Sequence, residues 1–385
     1  METDELRILH TSDWHLGRQF HGIALDDDHA AMLDQVEAAI TAHRPDLLII
    51  AGDVFDRPSP PQAALKRFGE FLTRISQDPN LAIAMIAGNH DSPAQIAMMG
   101  VLPTAGHTLV RGPIDRESHP LLISDRDGMV AVSALPFSYE FAARACFEDL
   151  TIACPADVMR AQLAAARGTV PDGARWIVIA HAFVAGAASS EGERSLSRAV
   201  GGIETVPADL FVGAHYVALG HLHRPQRAGA EHIRYSGAPL AFGLDEAGDV
   251  KSLTLVDLAA DGSVSVELLP LKPLREVRTI RGRLSELIEA PGVCNDFTGV
   301  TLTDEVVQID AMKRIRAVYP NAVQLNYADL RARGSIDRTE IDHALKNPKG
   351  VVADFLGAVR QDGLSEAEGA IIDTALAGLA QDPPS

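Results

Sequence analysis

Aspartate and histidine stand two residues apart in T-S-D-W-H-L-G, residues 11–17. Both side chains bind divalent cations, the carboxylate as an anion and the imidazole through a ring lone pair. In extended chain, residues i and i+2 project to the same side, so Asp13 and His15 are expected to grip one object together. Groups of the same chemistry recur along the chain. Asp53 lies in A-G-D-V-F-D, Asn89, His90 and Asp91 in A-G-N-H-D-S, His181 in A-H-A-F, and His221 with His223 in G-H-L-H. Taken singly none is diagnostic, because G-D also caps helices and G-N-H-D also makes a turn.

Their shared position says more. Each cluster follows a short apolar run: L-R-I-L before Asp13, residues 46–50 before Asp53, 82–86 before Asn89, 176–180 before His181 and 216–219 before His221. Continuous apolar runs of this length read as strands buried on both faces. Helical patterns at 30–43 and 61–76 lie between them, which makes the chain α/β. Sites in such folds form at the carboxyl ends of strands, so the five exits are expected to meet at one edge of a sheet. Asp13, His15, Asp53, Asn89, His181, His221 and His223 are oxygen and imidazole ligands without a thiolate, a set suited to Mn²⁺, Mg²⁺, Fe²⁺ or Zn²⁺. Seven ligands exceed one ion and fit two with a bridging carboxylate, the pairing that serves phosphoryl chemistry.

Composition bounds the rest. At 385 residues and 46% hydrophobic, the chain suits one large and one small domain with a substantial core. No run of about 18 apolar residues predicts a membrane span. The start, M-E-T-D-E-L-R-I-L-H, lacks the basic and apolar parts of a signal peptide, so a cytoplasmic location is expected. Cys146, Cys154 and Cys294 are scattered, which argues against a zinc knuckle or a disulfide framework. A net charge of −18 argues against autonomous, tight, non-specific DNA binding. It leaves a nuclease open, since metal ions and a partner protein can bring the positive charge.

The ordered series D-x-H, G-D, G-N-H-D, H and G-H-x-H resembles the signature of the calcineurin-like metallophosphoesterases. I-L-H-T-S-D-W-H-L-G-R-Q-F-H-G, A-G-D-V-F-D-R-P-S-P-P, A-G-N-H-D-S-P and Y-V-A-L-G-H-L-H-R-P-Q narrow the resemblance to the SbcD family, nuclease subunits of bacterial SbcCD complexes. It is close over about residues 6–275 and looser beyond. The resemblance implies a sandwich of sheets flanked by helices (residues 1–273), a small α/β cap (274–345), and a helical partner-binding segment with a frayed tail (346–385). It implies one metal on Asp13, His15, Asp53 and His223, and a second on Asp53, Asn89, His181 and His221, with Mn²⁺ preferred. His90 matches the family's catalytic histidine. It further implies a homodimer joined by two SbcC-type coiled-coil ATPase chains, acting on duplex ends, hairpins and single strands of DNA. Two places depart from the pattern. Asp56 stands where archaeal and eukaryotic relatives carry a second histidine and reads as an N-cap, and S-G-A-P-L-A-F-G-L-D-E replaces a run richer in serine and aromatics.

Other readings concern the remaining residues. His29, His43, His107, His119, His232 and His343 read as surface or boundary residues, and His21, Arg224 and Arg227 as groups near substrate. Residues 185–202 read as a mobile Gly-rich loop, and 252–269 as a hairpin about a D-G pair. Arg275, Arg278, Arg281, Arg283, Lys313, Arg314 and Arg316 make the stretch after 274 locally basic, either a solvated surface or a guide for DNA. Apolar residues at helical spacing in 351–380 suit a partner-binding face. No G-x-x-x-x-G-K-[ST] occurs, so any ATP dependence is expected to be borrowed. Two rival functions remain: a phosphoesterase of nucleotides or small diesters, and a catalytically silent scaffold of an ATPase.

Overall fold

A computed structural model describes residues 5–101, 107–188, 190, 193, 205–289, 292–328, 349–353 and 365–379. The first sheet runs in the order β14 (Val264–Pro270), β13 (Ser252–Leu258), β1 (Leu6–Thr11), β4 (Leu47–Ile50), β5 (Ala82–Ile86), β6 (Thr108–Arg111). From β1 to β6 its strands are parallel; β13 and β14 are the expected antiparallel hairpin on its flank. The second sheet runs β11 (Gln226–Ala228), β12 (Ala230–Tyr235), β10 (Tyr216–Gly220), β9 (Arg175–His181), β8 (Gly128–Leu135), β7 (Leu121–Asp125), with β8, β9, β10 and β12 parallel.

Side-chain alternation builds four layers. In the first sheet Ile8, Leu47, Ile49 and Ile86 face Val132, Ile177, Ile179 and Ala218 of the second, closing an apolar seam between sheets. Leu9, Leu48, Ile50, Ile83 and Met85 turn the other way, onto helices. There α1 (Asp26–His43) buries Met32, Leu33, Val36 and Ile40, and α2 (Gln62–Ile75) buries Phe68, Phe71, Leu72 and Ile75, each at helical spacing. On the far side α5 (Pro155–Arg167) lays Met159, Leu163 and Ala166 over Trp176, Val178 and Leu219. The result is a sandwich of sheets flanked by helices, as expected.

The five ligand-bearing exits do not share one sheet. β1, β4 and β5 belong to the first and β9 and β10 to the second, so the site lies across the seam where both sheets present carboxyl ends. Periodicity assigns strands to buried faces, but it carries no information on which sheet a strand joins.

Smaller elements complete the picture. A two-strand ribbon, β2 (Gln19–Phe20) and β3 (Ile23–Ala24), follows the first ligand loop. Short helices α3 (Pro93–Met98) and α4 (Glu140–Phe147) follow β5 and β8. β15 (Val277–Gly282), β16 (Phe297–Leu302) and β17 (Ala322–Tyr327) form a three-stranded sheet in that order, with α6 (Leu284–Ile288) and α7 (Ala311–Arg316) between strands. By compactness the chain divides into Met1–Val300 with Asp310–Leu325, and Thr301–Ile309 with Asn326–Ser385. In the second unit Gln308 donates its backbone N–H to the Tyr327 hydroxyl at 2.8 Å, and Lys349 pairs with Asp373 of the helix Glu366–Leu379. This helix and the helical residues 349–353 agree with the helical reading of 351–380; the D-G break at 362–363, most of the 185–202 loop and the tail lie outside the described residues. No described helix is long and apolar enough to cross a membrane.

Candidate metal centre

The loops after β1 and β4 run side by side. Asp13 donates its backbone N–H to Gly52 O at 3.0 Å, His15 to Asp53 O at 3.0 Å and Leu16 to Val54 O at 2.9 Å. Between the two ligands of the first loop, Trp14 is fully buried edge-on to Phe68 and Phe71 of α2, and its Nε1 donates to Thr11 Oγ1 at 2.7 Å. Asp13 and His15 are not extended: their φ angles are 55° and 46°, and Asp53 has φ 50° and His221 φ 107°. The expected pairing of Asp13 and His15 holds, but a left-handed turn around the Trp14 anchor produces it, with no strand geometry involved. Four non-glycine residues at positive φ in one site mark backbone strain held by the surrounding packing.

Side chains from all five exits converge. Asp13, His15 and His223 place ligand atoms within 4.8 Å of one another, as do Asp13, Asp53 and His181. His15 Nε2 and His223 Nε2 are 3.3 Å apart, and His15 Nε2 lies 3.8 Å from Asp53 Oδ2. His181 Nε2 lies 2.9 Å from Asn89 Oδ1 and 3.5 Å from Asp53 Oδ2. Asp53 therefore stands between both groups, where a bridging carboxylate is expected. His221 contributes its backbone N–H, 3.0 Å from each Asp13 carboxylate oxygen, and its ring lies 5.5 Å from that of His181. All seven predicted ligands are brought together in this region.

Outer partners decide which ring atom of each histidine faces inward. His181 Nδ1 donates to Ala51 O at 2.9 Å, and His223 Nδ1 donates to Glu246 Oε1 at 3.3 Å. Glu246 is itself buried and paired with Lys251, whose ammonium also reaches His223 O at 3.1 Å. Both rings thus turn an Nε2 lone pair toward the centre when neutral. Burial holds His15 and His221 well below the ordinary histidine range, which favours the neutral ring at both. Burial opposes ionisation of Asp53, yet the facing His181, His15 and His90 outweigh it and keep the carboxyl below its usual range. Burial lowers His181, but Asp53 and Asp13 more than compensate and raise it to about 9. Burial pushes the Asp13 carboxyl up to about 6.

This donor set fits divalent cations. Facing imidazole lone pairs at His15 and His223, and three electron-rich atoms at Asn89, Asp53 and His181, repel one another unless a proton or a cation sits among them. His90 takes a different place. Its Nδ1 donates to Asp56 O at 2.7 Å, while Nε2 points toward Asp53 Oδ2 at 4.0 Å.

Residues beyond the seven predicted ligands support the centre. Glycine precedes the ligands in G-D, G-N-H-D and G-H-x-H because a side chain has no room there. A Cβ on Gly88 would fall 2.2 Å from Asp53 Oδ1, and one on Gly220 would fall 1.9 Å from Ala51 O across the seam. The recurring glycine was the available signal. Asp91 accepts from the backbone N–H groups of Val54, Phe55 and Gly88 at 3.1, 2.9 and 3.0 Å, tying the β4 and β5 exits together. Glu246 carries no local signal, as it lies far from His223 in sequence.

Two expectations need correction, those for Asp56 and His29. Asp56 does not cap α2, whose N-cap is Pro61; its carboxylate lies 3.9 Å from His15 Nδ1 and 3.6 Å from Arg18. His29 is fully buried beneath the first ligand loop, its Nε2 donating to Trp14 O at 3.1 Å, because α1 packs there. Arg224 is engaged by Asp249 and by Asp245 O, both at 2.8 Å, and Arg227 by Glu231. Arg275 grips the buried Asp28 and covers Phe297 at 4.4 Å, and Arg278 pairs with Asp296, so two of the basic residues after 274 are already occupied. His21 is exposed beside the Phe20 ring.

A two-sheet sandwich with this ligand set at its carboxyl edge is the architecture of a metal-dependent phosphoesterase. The chain belongs to the calcineurin-like phosphoesterase family, whose model matches residues 6–225. Residues 273–360 match a second family, described as the type 5 capsule protein repressor C-terminal domain. The chain is also similar along its length to proteins named as the SbcD component of the SbcCD nuclease. That of Staphylococcus saprophyticus is 26% identical over 98% of this chain and 99% of its own. That of Staphylococcus epidermidis is 26% identical over 96% and 99%.

Proposed function

We propose that this chain is the nuclease component of an SbcCD-type complex, hydrolysing DNA phosphodiesters with two divalent cations, Mn²⁺ preferred. In this reading it removes nucleotides 3′→5′ from duplex ends and cuts single strands and hairpins, in DNA repair and recombination. It works as a homodimer joined by two SbcC-type ATPase chains, in the cytoplasm with the nucleoid. Residues 1–273 carry the chemistry, 274–345 guide DNA, and 346–385 hold the partner.

The observation that carries the reading is the meeting of Asp13, His15, Asp53, Asn89, His181, His221 and His223 across the seam, with His90 Nε2 directed at the same space. When bound, two cations there neutralise the anionic oxygens of a phosphodiester and acidify water for in-line attack. Asp53 is assigned to both cations, the other ligands as the family pattern assigns them. Ala51 O and Glu246 hold the His181 and His223 rings in the ligating tautomer. His90 holds a proton at Nε2 for the departing sugar oxygen, Asp56 O fixing the opposite ring nitrogen.

End-labelled linear duplex and hairpin DNA with Mn²⁺ test the reading, with and without the ATPase partner and ATP, beside a His90→Gln control. ATP-stimulated degradation absent from the control is the expected result. Intact DNA with brisk turnover of a small phosphodiester would move the function to small substrates. Inactivity on both would leave the scaffold role.

A further inference from the structure

The segment leaving β8 carries aromatic rings at alternate positions: Phe137, Tyr139 and Phe141. Phe137 donates its backbone N–H to Ala87 O at 2.9 Å, which pins the segment to the loop bearing Asn89 and His90. The Phe137 ring stands edge-on to the ligand His181, centroids 6.5 Å apart. Tyr139 follows edge-on to Phe137 at 5.0 Å, and Phe141 lies nearly parallel to Tyr139 at 5.8 Å with 13° between planes. A continuous series of rings thus runs from a metal ligand outward.

Local folding does not require the outer two. Tyr139 is 51% and Phe141 69% exposed. Tyr139 occupies the N-cap of α4 without a side-chain capping bond, a place where serine or aspartate serves better. The apolar cluster under α4 is made by Ala143, Ile152 and Val158, with Phe147, Ile114 and Ala161 against it, and draws on neither ring.

We propose that Phe137, Tyr139 and Phe141 form a stacking ladder for unpaired bases of the DNA strand being cut. This rests on the nuclease reading and names the substrate form that reaches the centre. Charge favours a base as the occupant: a chain of net charge −18 has little to offer a polyanion electrostatically. Stacking on aromatic rings is indifferent to that charge and to base identity, since every base presents a π-face. Paired bases are stacked on their neighbours inside a duplex, so the ladder selects frayed ends, single strands and hairpin loops.

The test uses the full-length chain and a Tyr139→Ala/Phe141→Ala double variant. Leu150→Ala, at a residue 88% exposed and outside the ladder, is the control. Binding of a single strand containing 2-aminopurine is followed by fluorescence quenching in chelator. Quenching by the wild type and the control, weakened about tenfold or more in the double variant, is expected from the worth of a base–aromatic stack. With Mn²⁺, the wild type should cut a base-bearing strand faster than an abasic one, and the double variant should lose that preference at unchanged metal content. A variant that keeps wild-type quenching and the wild-type ratio overturns the ladder alone and leaves the rings to a protein contact. A wild type that cuts no DNA yet turns over a small phosphodiester removes the nuclease reading, and the ladder with it.

Discussion

His90 Nδ1 donates to the carbonyl oxygen of Asp56 across 2.7 Å, joining the loop after β5 to the loop after β4. A carbonyl only accepts, so the proton on Nδ1 is fixed and the chemistry of the ring is confined to Nε2. His90→Asn or His90→Gln removes the transferable proton and spares the seven ligands. Metal content should stay at the wild-type level while phosphodiester turnover falls by about 10²–10⁴-fold, the usual worth of a general acid. Elemental analysis and turnover on one preparation check both halves, and an unchanged rate would sink the role.

Gly88 lies against Asp53, with no room for a methyl group. Gly88→Ala should displace the shared carboxylate and lower both metal content and activity. Gly69, inside α2 with open space where a Cβ would go, provides the contrast. Gly69→Ala should leave activity alone and stabilise the chain by up to about 1 kcal/mol. Thermal melts and metal analysis of the two variants separate the cases.

Glu246 acts on the centre through His223. Glu246→Gln weakens the acceptor that orients the ring and leaves the buried Lys251 without its counter-charge. Metal affinity should drop by about 10–100-fold, with excess Mn²⁺ restoring much of the activity. Titration of the metal-stripped variant with Mn²⁺, followed by calorimetry, reads the shift directly.

The arginines after residue 274 divide by environment. Arg275→Ala strands the buried Asp28 carboxylate and uncovers Phe297, for an expected loss of about 3–5 kcal/mol. Arg278→Ala breaks an exposed pair with Asp296 and should cost less than about 1 kcal/mol. Urea unfolding of both variants checks the ranking; equal losses would contradict it.

Burial lowers the pKa of His10 to about 3 and that of His29 to about 4, the Trp14 carbonyl only partly offsetting it for His29. Unfolded, each titrates near 6.5, so below that pH the unfolded chain binds more protons than the folded one. Their contribution is therefore complete above about pH 6.5 and is lost as pH falls toward 4, by up to ~1.4 kcal/mol per pH unit for each group. In the metal-stripped chain these two groups lower the urea midpoint at pH 5 relative to pH 7, against the opposite pull of Asp13, Asp91 and His181. His29→Asn should reduce that slope by the share of one proton.

Much of the centre was legible because its chemistry is local. A ligand must be Asp, Asn or His, must follow a strand, and must have glycine beside it where backbones close up. Each condition leaves its mark within a few residues, so the seven candidate residues that meet across the seam can be picked out by type and spacing. The strands were legible for a similar reason, since burial on both faces demands an unbroken apolar run.

Pairing across the chain was decided elsewhere. No residue in 176–180 or 216–219 states that these strands join a sheet other than that of β1, β4 and β5, because an apolar strand fits either one. Left-handed backbone at Asp13, His15 and Asp53 is likewise invisible in sequence, where such residues would ordinarily adopt other conformations. Glu246 and the Asp56 carbonyl reach their histidines only after folding, and Arg275 becomes a clamp on Asp28 only once the segment after β14 lies beside α1. Residue types and their order define which atoms are available to hold metal or move a proton. Tertiary packing decided their distances, tautomers and charge states, because those depend on neighbours that the linear order keeps far apart.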